Sequence, residues 1–142
     1  MRHFIRHPIN VPIEVGAADH PMPGVLQARN VSRGGLAFHN AEALSPGTFA
    51  ALRIPCVHPP FEARVRVAWC LPGELGFEVG VEFLDADDDL RARMVEQVCY
   101  IENYRKRIRL SEQRELSLEE AAREWVAKYA AQFFDTGPDE LQ

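Results

Sequence analysis

The chain has 142 residues, 46% of them hydrophobic, enough for one domain with a real core and too few for a second full domain. No run approaches the roughly 18 apolar residues of a membrane span, and the first twenty residues lack the pattern of a signal peptide, so the expected location is the cytoplasm. The net charge of −5 divides into +3 over residues 1–70 and −8 over residues 71–142, and every basic residue of the first half is Arg. A guanidinium presents a planar fork to phosphate or to a guanine edge where Lys presents a point charge. A plain preference for Arg fits this composition equally well, since Lys106 and Lys128 are the chain's two lysines.

The chain opens on Met1-Arg2-His3-Phe4-Ile5-Arg6, two arginines four apart on a segment with little else to hold it down. Taken alone it reads as a solvated tail; the other reading is an arm that an anion orders. From Ile9 to about Leu84 the hydrophobic period is two, which predicts half-buried strands. The predicted strands are Ile9 to Val15, placed at an edge by Pro12, then Val25 to Asn30, Gly35 to His39 and Phe49 to Ile54. Next comes Phe61, Ala63, Val65, Val67 and Trp69 on one face against Glu62, Arg64, Arg66, Ala68 and Cys70 on the other. Leu71-Pro72-Gly73-Glu74 turns it back into Phe77, Val79, Val81 and Phe83. Six short strands with Gly and Pro turns predict a small barrel or sandwich.

After Leu84 the period changes. Asp85 to Asp89 is an acidic helix start, and Leu90, Met94, Val98 and Ile101 follow at helical spacing, predicting a helix of about 20 residues with cations near its end. Ser117-Leu118-Glu119-Glu120 is a capping box opening a second helix through Trp125, Tyr129 and Phe133, which stops near Asp135-Thr136-Gly137-Pro138. Its apolar stripe is expected to pack on the barrel or the preceding helix, with a partner-binding face as the other reading.

Chemistry-bearing patterns are few. Cys56, Cys70 and Cys99 form no C-x-x-C pair and read as reduced thiols. The five histidines lack metal-binding spacing, and no nucleophile elbow or phosphate loop occurs, so an enzyme is not expected. Asp85, Asp87, Asp89 and Glu96 match four positions of a calcium loop, but Leu90 stands where that loop needs Gly, which favours a helix start. The pattern that remains is Asn30-Val31-Ser32-Arg33-Gly34-Gly35 between two strands, where short polar side chains sit beside glycines that permit positive φ and close approach to the backbone.

Arg2-x-x-x-Arg6 followed by Asn30-x-Ser32-x-x-Gly35 resembles the PilZ domain family, which binds the bacterial second messenger cyclic di-GMP. Val67-Ala68-Trp69 and Gly80-Val81-Glu82-Phe83 look like the family's two late strands. The resemblance implies a mainly β fold, a six-stranded antiparallel PilZ-like barrel over residues 1–90 whose N-terminal arm closes on the ligand. Residues 85–142 would be a two-helix C-terminal extension packed on or beside the barrel, without a separate domain. It also implies that Arg2 and Arg6 pair with phosphate or guanine, that Asn30 and Ser32 fix a guanine, and that Gly35 gives clearance. Arg33 would add a cation, and Trp69 stands open between stacking on ligand and packing in the core.

The expected function is a non-enzymatic cyclic di-GMP receptor that uses no cofactor or metal, orders its arm on binding and signals by contact with a protein partner. The alternative is a PilZ-like adaptor that binds no nucleotide and acts through its C-terminal helices. A barrel binding single-stranded nucleic acid would want a basic groove lined with aromatics, against which the net charge argues.

Overall fold

The computed structural model describes residues 4–16 and 26–130. Six strands, β1 (Val11–Gly16), β2 (Leu26–Val31), β3 (Gly35–Asn40), β4 (Phe49–Ile54), β5 (Phe61–Gly73) and β6 (Gly76–Phe83), are followed by helices α1 (Asp88–Glu112) and α2 (Leu118–Trp125). The strands close into an antiparallel barrel in the order β1-β2-β3-β6-β5-β4, as the period of two and the family resemblance imply. The described fold divides between Cys99 and Tyr100 into two compact units, one holding the barrel and the start of α1, the other the rest of the chain. Among the described residues no helix is long and apolar enough to cross a membrane.

Alternation fills the barrel. Val11, Ile13, Leu36, Phe38, Val65 and Val79 are buried almost completely, and their solvent-side neighbours Glu62, Arg64 and Arg66 are exposed. Burying each such side chain contributes on the order of 1.5–3 kcal/mol, so these residues supply the main favourable term for the barrel. A closed sheet has no edge strand, and Pro12 is accommodated differently from the expectation: it pairs only with Gln27 of β2, because β4 joins β1 from Glu14 onward. Arg53 of β4 bonds Glu14 of β1 and Glu62 of β5, at 3.2 and 3.3 Å, across the closure.

Three boundaries differ from the sequence reading by more than one residue. β1 begins at Val11, because His7 accepts a turn-closing hydrogen bond from the Ile9 N–H at 2.8 Å. The residues Leu71 to Gly73 extend β5, and the turn is the two-residue Glu74-Leu75 closed by Gly76 at a φ of 138°. The first helix has 25 residues rather than about 20. Asp87 caps its start by accepting from Leu90 N at 2.8 Å, while Asp85 accepts from Arg64 N of β5 at 2.8 Å. Leu90 is 45% exposed and not part of the buried stripe that Met94, Val98 and Ile101 form. Buried Gln97 clasps the β4–β5 loop, its amide donating to His58 O at 2.8 Å and accepting from His58 N at 2.9 Å.

Gly35 sits where β3 presses on β6. A Cβ there would lie 2.0 Å from Val81 O and 3.1 Å from Glu82 Cα, both rigid backbone. Gly35→Ala is therefore expected to destabilise the barrel by roughly 1–3 kcal/mol or more, read as a lowered urea midpoint. An unchanged midpoint would mean that the two strands can separate without loss.

In the second unit the capping box is formed as predicted: Ser117 Oγ accepts from Glu120 N at 3.1 Å and Glu120 Oε1 accepts from Ser117 N at 2.9 Å. Leu118, Ala121, Ala122 and Trp125 are buried, and Trp125 stacks on Tyr100 with ring centroids 6.3 Å apart. The predicted stop near Asp135 lies outside the described residues, as does Phe133. Arg105 reaches back to buried Glu102 with hydrogen bonds of 2.7 and 2.9 Å rather than serving the helix end. Glu124 is the hub of the unit, accepting two bonds of 3.0 Å from Arg114 and one of 2.8 Å from Tyr104 Oη.

Those bonds, Arg114 first and Tyr104 second, hold the Glu124 carboxyl down at a pKa of about 2 against an ordinary 4.5. A pKa lowered by folding stabilises the folded state above the ordinary value and loses that effect as pH falls towards the folded one. The helical unit is thus expected to melt earlier as pH drops from about 4.5 to about 2, followed by far-ultraviolet circular dichroism. Glu124→Gln should melt earlier than wild type at neutral pH and converge with it at the acid end; parallel curves would refute the assignment.

Candidate functional site

The outer face of the barrel carries an open cleft of about 680 Å³, and its wall includes Phe4, Arg6, Ser32, Gly34, Gly35, Ala68, Trp69, Gly80, Glu82 and Arg91. That volume falls within the range of small-molecule sites. Four pieces of chain build it: the N-terminal arm, the β2–β3 loop, the outer faces of β5 and β6, and the start of α1.

The arm is anchored by its backbone. His7 and Val31 form an isolated bridge, with His7 N donating to Val31 O at 2.9 Å and Val31 N to His7 O at 3.1 Å. Three residues earlier the Phe4 ring lies on Gly34, where a Cβ would come within 2.5 Å of it. Between them Arg6 donates from Nη1 to Asn30 Oδ1 at 3.0 Å, joining two residues 24 positions apart in sequence. Both halves of the sequence pattern thus meet at one rim of the cleft. Arg2 lies outside the described residues.

The β2–β3 loop is shaped by Ser32. Its buried hydroxyl donates to Gly35 O at 3.1 Å and accepts from Gly34 N and Gly35 N, each at 3.2 Å, while Ser32 N donates to Gly35 O at 2.8 Å. One donor and two lone pairs are all a hydroxyl has, so the loop uses the whole capacity of Ser32. Neither Gly34 nor Gly35 has positive φ among the described residues, contrary to one of the two reasons the sequence suggested for them; the other was close approach to the backbone. They are small because something presses on each: the Phe4 ring on Gly34 and the β6 backbone on Gly35. Arg33 stands exposed on the loop and is absent from the cleft wall.

Two β-bulges aim the remaining side chains. On β2 the register shifts between Ala28 and Asn30, so Arg29 and Asn30 both leave the core while Ala28 and Val31 remain buried. On β5 it shifts between Val67 and Trp69, and Ala68 and Trp69 both reach the cleft. Strict alternation had grouped Trp69 with Val65 and Val67; the bulge takes it out of the core, half-buried, and lays its indole on Gly80, where a Cβ would meet the ring at 2.2 Å. Gly80 opposite an aromatic is the sequence signal for this placement. Phe4, Gly34, Gly80, Glu82 and Arg91 were not singled out from the sequence as site residues, Arg91 because it reaches the wall from a helix past the barrel. Glu82 is held by its cross-strand partner Arg66.

The cleft can take an anion and a flat ring together. Arg6 and Arg91 bring charge, Trp69 a stacking face, and Asn30 a neutral amide. Among the described residues no group of three or more His, Cys, Asp or Glu could hold a metal ion.

No curated protein matches the chain. Among solved structures it is similar to the PilZ domain of CeSA from a cellulose-synthesizing bacterium, with 21% identity and a TM-score of 0.51, covering 64% of this chain and 94% of that one. It is also similar to the inhibitor of motility MotI of Bacillus subtilis (18%, 0.55, 73% of this chain) and to YcgR of Escherichia coli in complex with cyclic di-GMP (14%, 0.56, 80%). The chain spans 52% of the length of MotI and 50% of YcgR. At these identities the likeness concerns the fold. A family model of the PilZ domain matches residues 1–100, the stretch that supplies every wall of the cleft, and the chain belongs to the PilZ domain family.

Proposed function

We propose that the chain is a cytoplasmic, non-enzymatic receptor for cyclic di-GMP, bound in the cleft between the arm, the β2–β3 loop and the outer faces of β5 and β6. The observation that carries this reading is the Arg6–Asn30 hydrogen bond at the rim of a cleft that also presents Trp69. A phosphodiester and a purine need a cation fork and an aromatic face within one ligand's span, and this rim offers both. YcgR and MrkH, two of the structural neighbours, are seen in complex with cyclic di-GMP.

Arg6 would exchange a neutral amide oxygen for a phosphate oxygen or the O6/N7 edge of a guanine, a stronger acceptor set for a guanidinium. Asn30, released from Arg6, would bond a guanine edge. Arg2 would add a second guanidinium from the arm, and Arg33 a third from the loop. Trp69 would stack on a base. Ser32 and Gly35 serve by holding the loop in shape, since the Ser32 hydroxyl is already fully engaged and Gly35 lies tight on β6. The His7–Val31 bridge would act as the fixed point from which the residues before it become ordered on binding, and that ordered surface would meet a protein partner. Comparing NMR relaxation of the arm with and without ligand tests this step; unchanged mobility would sink it.

Calorimetric titration of cyclic di-GMP, with GTP as the competitor control, is expected to show saturable binding. Arg6→Ala should weaken it by roughly 1.5–3 kcal/mol, about ten- to a hundredfold. Absence of heat and of binding at high nucleotide concentration would instead favour the adaptor that acts through its helices. Trp69→Ala is expected to cost roughly 1–3 kcal/mol of binding and Trp69→Phe much less, because a ring retains the stacking face. Equal losses for Ala and Phe would place the base elsewhere.

A further inference from the structure

We infer that Arg91, near the start of α1, is a further ligand contact that takes a phosphate oxygen of the nucleotide; this deepens the receptor reading and rests on it. Arg91 lies in the same cleft wall as Arg6 and Trp69 but comes from a different element, beyond the strands that carry the sequence pattern.

The geometry points to a guanidinium held ready. Arg91 Nε donates to Ala86 O at 2.7 Å, which fixes the plane of the group, and the side chain is half-buried. Its two Nη nitrogens make no hydrogen bond or ion pair among the described residues. That is notable in so acidic a setting. Asp85 and Asp87 spend a carboxylate oxygen each on the backbone N–H of Arg64 and Leu90, and Glu82, the acid in the cleft wall, is engaged by Arg66. Among the described residues, the guanidinium groups of the wall with no carboxylate partner are thus those of Arg6, which bonds a neutral amide, and Arg91, which bonds a neutral carbonyl. On a chain of net charge −5, the described wall sets two guanidinium groups against the one carboxylate of Glu82.

A cyclic dinucleotide carries two phosphodiesters on opposite sides of one ring. A single guanidinium fork engages two oxygens of one phosphate, so gripping both sides calls for cations from separate elements. The arm supplies one through Arg6 and α1 supplies the other through Arg91. Tethering through Nε leaves the four N–H groups on Nη for an anion and lowers the side-chain entropy lost on binding.

The test is calorimetric titration of cyclic di-GMP into the full chain at low and moderate salt, for wild type, Arg91→Ala, Arg91→Lys and Arg93→Ala, with the melting midpoint of each. Arg93, exposed on the same helix and outside the cleft wall, is the control. Arg91→Ala is expected to weaken binding roughly ten- to a hundredfold and to make it less sensitive to salt. Arg91→Lys should recover part of the loss and Arg93→Ala should stay within about twofold of wild type. Should Arg91→Ala not fold, Arg91→Gln, which keeps an aliphatic stem, carries the same expectation. Wild-type binding that Arg91→Ala or Arg91→Gln leaves unchanged overturns the inference while the receptor reading stands. So does a loss that follows a fall in melting midpoint and that Lys does not relieve, since that describes a brace for the helix. Wild type that does not bind at all removes the receptor reading, and the Arg91 contact with it.

Discussion

A sheet that closes on itself has no edge, and this constraint decides where a cleft can form. Every strand of the barrel has two neighbours, so its backbone N–H and C=O groups are committed to ladders wherever pairing runs, and its interior is filled by Leu36, Phe38, Ile13 and the valines. Neither the ladder nor the lumen is free to bind anything. What remains is the outer surface, and a convex surface makes a poor pocket until something stands up around it. Here the arm, the β2–β3 loop and the root of α1 are the raised borders, with β5 and β6 as the floor.

Close approach holds those borders in place. Gly34 lets the Phe4 ring rest on the loop, Gly35 lets the loop's end touch β6, and Gly80 lets an indole lie flat on a strand. A methyl group at any of these three positions would collide with its neighbour at 2.5 Å or less. The Ser32 hydroxyl then ties the loop to itself with three hydrogen bonds, so that loop shape does not depend on an occupant of the cleft. Such prior organisation lowers the ordering cost that binding must meet.

How much of this could be read from the sequence follows from the range of each interaction. The period of two, the capping box at Ser117 and the antiparallel hairpin of β5 and β6, with Val65 opposite Phe83 and Val67 opposite Val81, are local or nearly so, and they stand in the structure as the sequence implied. The link between Arg6 and Asn30 was legible only because two short patterns recur together; neither alone distinguishes a site from a tail or a turn. Trp69 was illegible by alternation because a bulge inserts one residue and reverses the face, and no residue of β5 announces it. The role of Gly34 depends on a ring thirty positions away, and that of Arg91 on a carbonyl and a cleft outside its own helix. Local composition cannot report such partners. The two helices were legible as helices, while the end of the second lies outside the described residues.

The bulge on β5 divides one strand between two kinds of selection. Up to Val67 the inward residues answer to the volume of the interior, where a change of one methylene is felt throughout the core. At Ala68 and Trp69 the same strand faces the cleft, and substitutions there exchange contacts on the open surface without opening a cavity below. The lining of the cleft can therefore vary at these positions, and at Gly80 in step with Trp69, while the barrel beneath keeps its stability. A fold built this way is evolvable at the face that carries the cleft, because mutations that reshape its lining are decoupled from those that threaten folding.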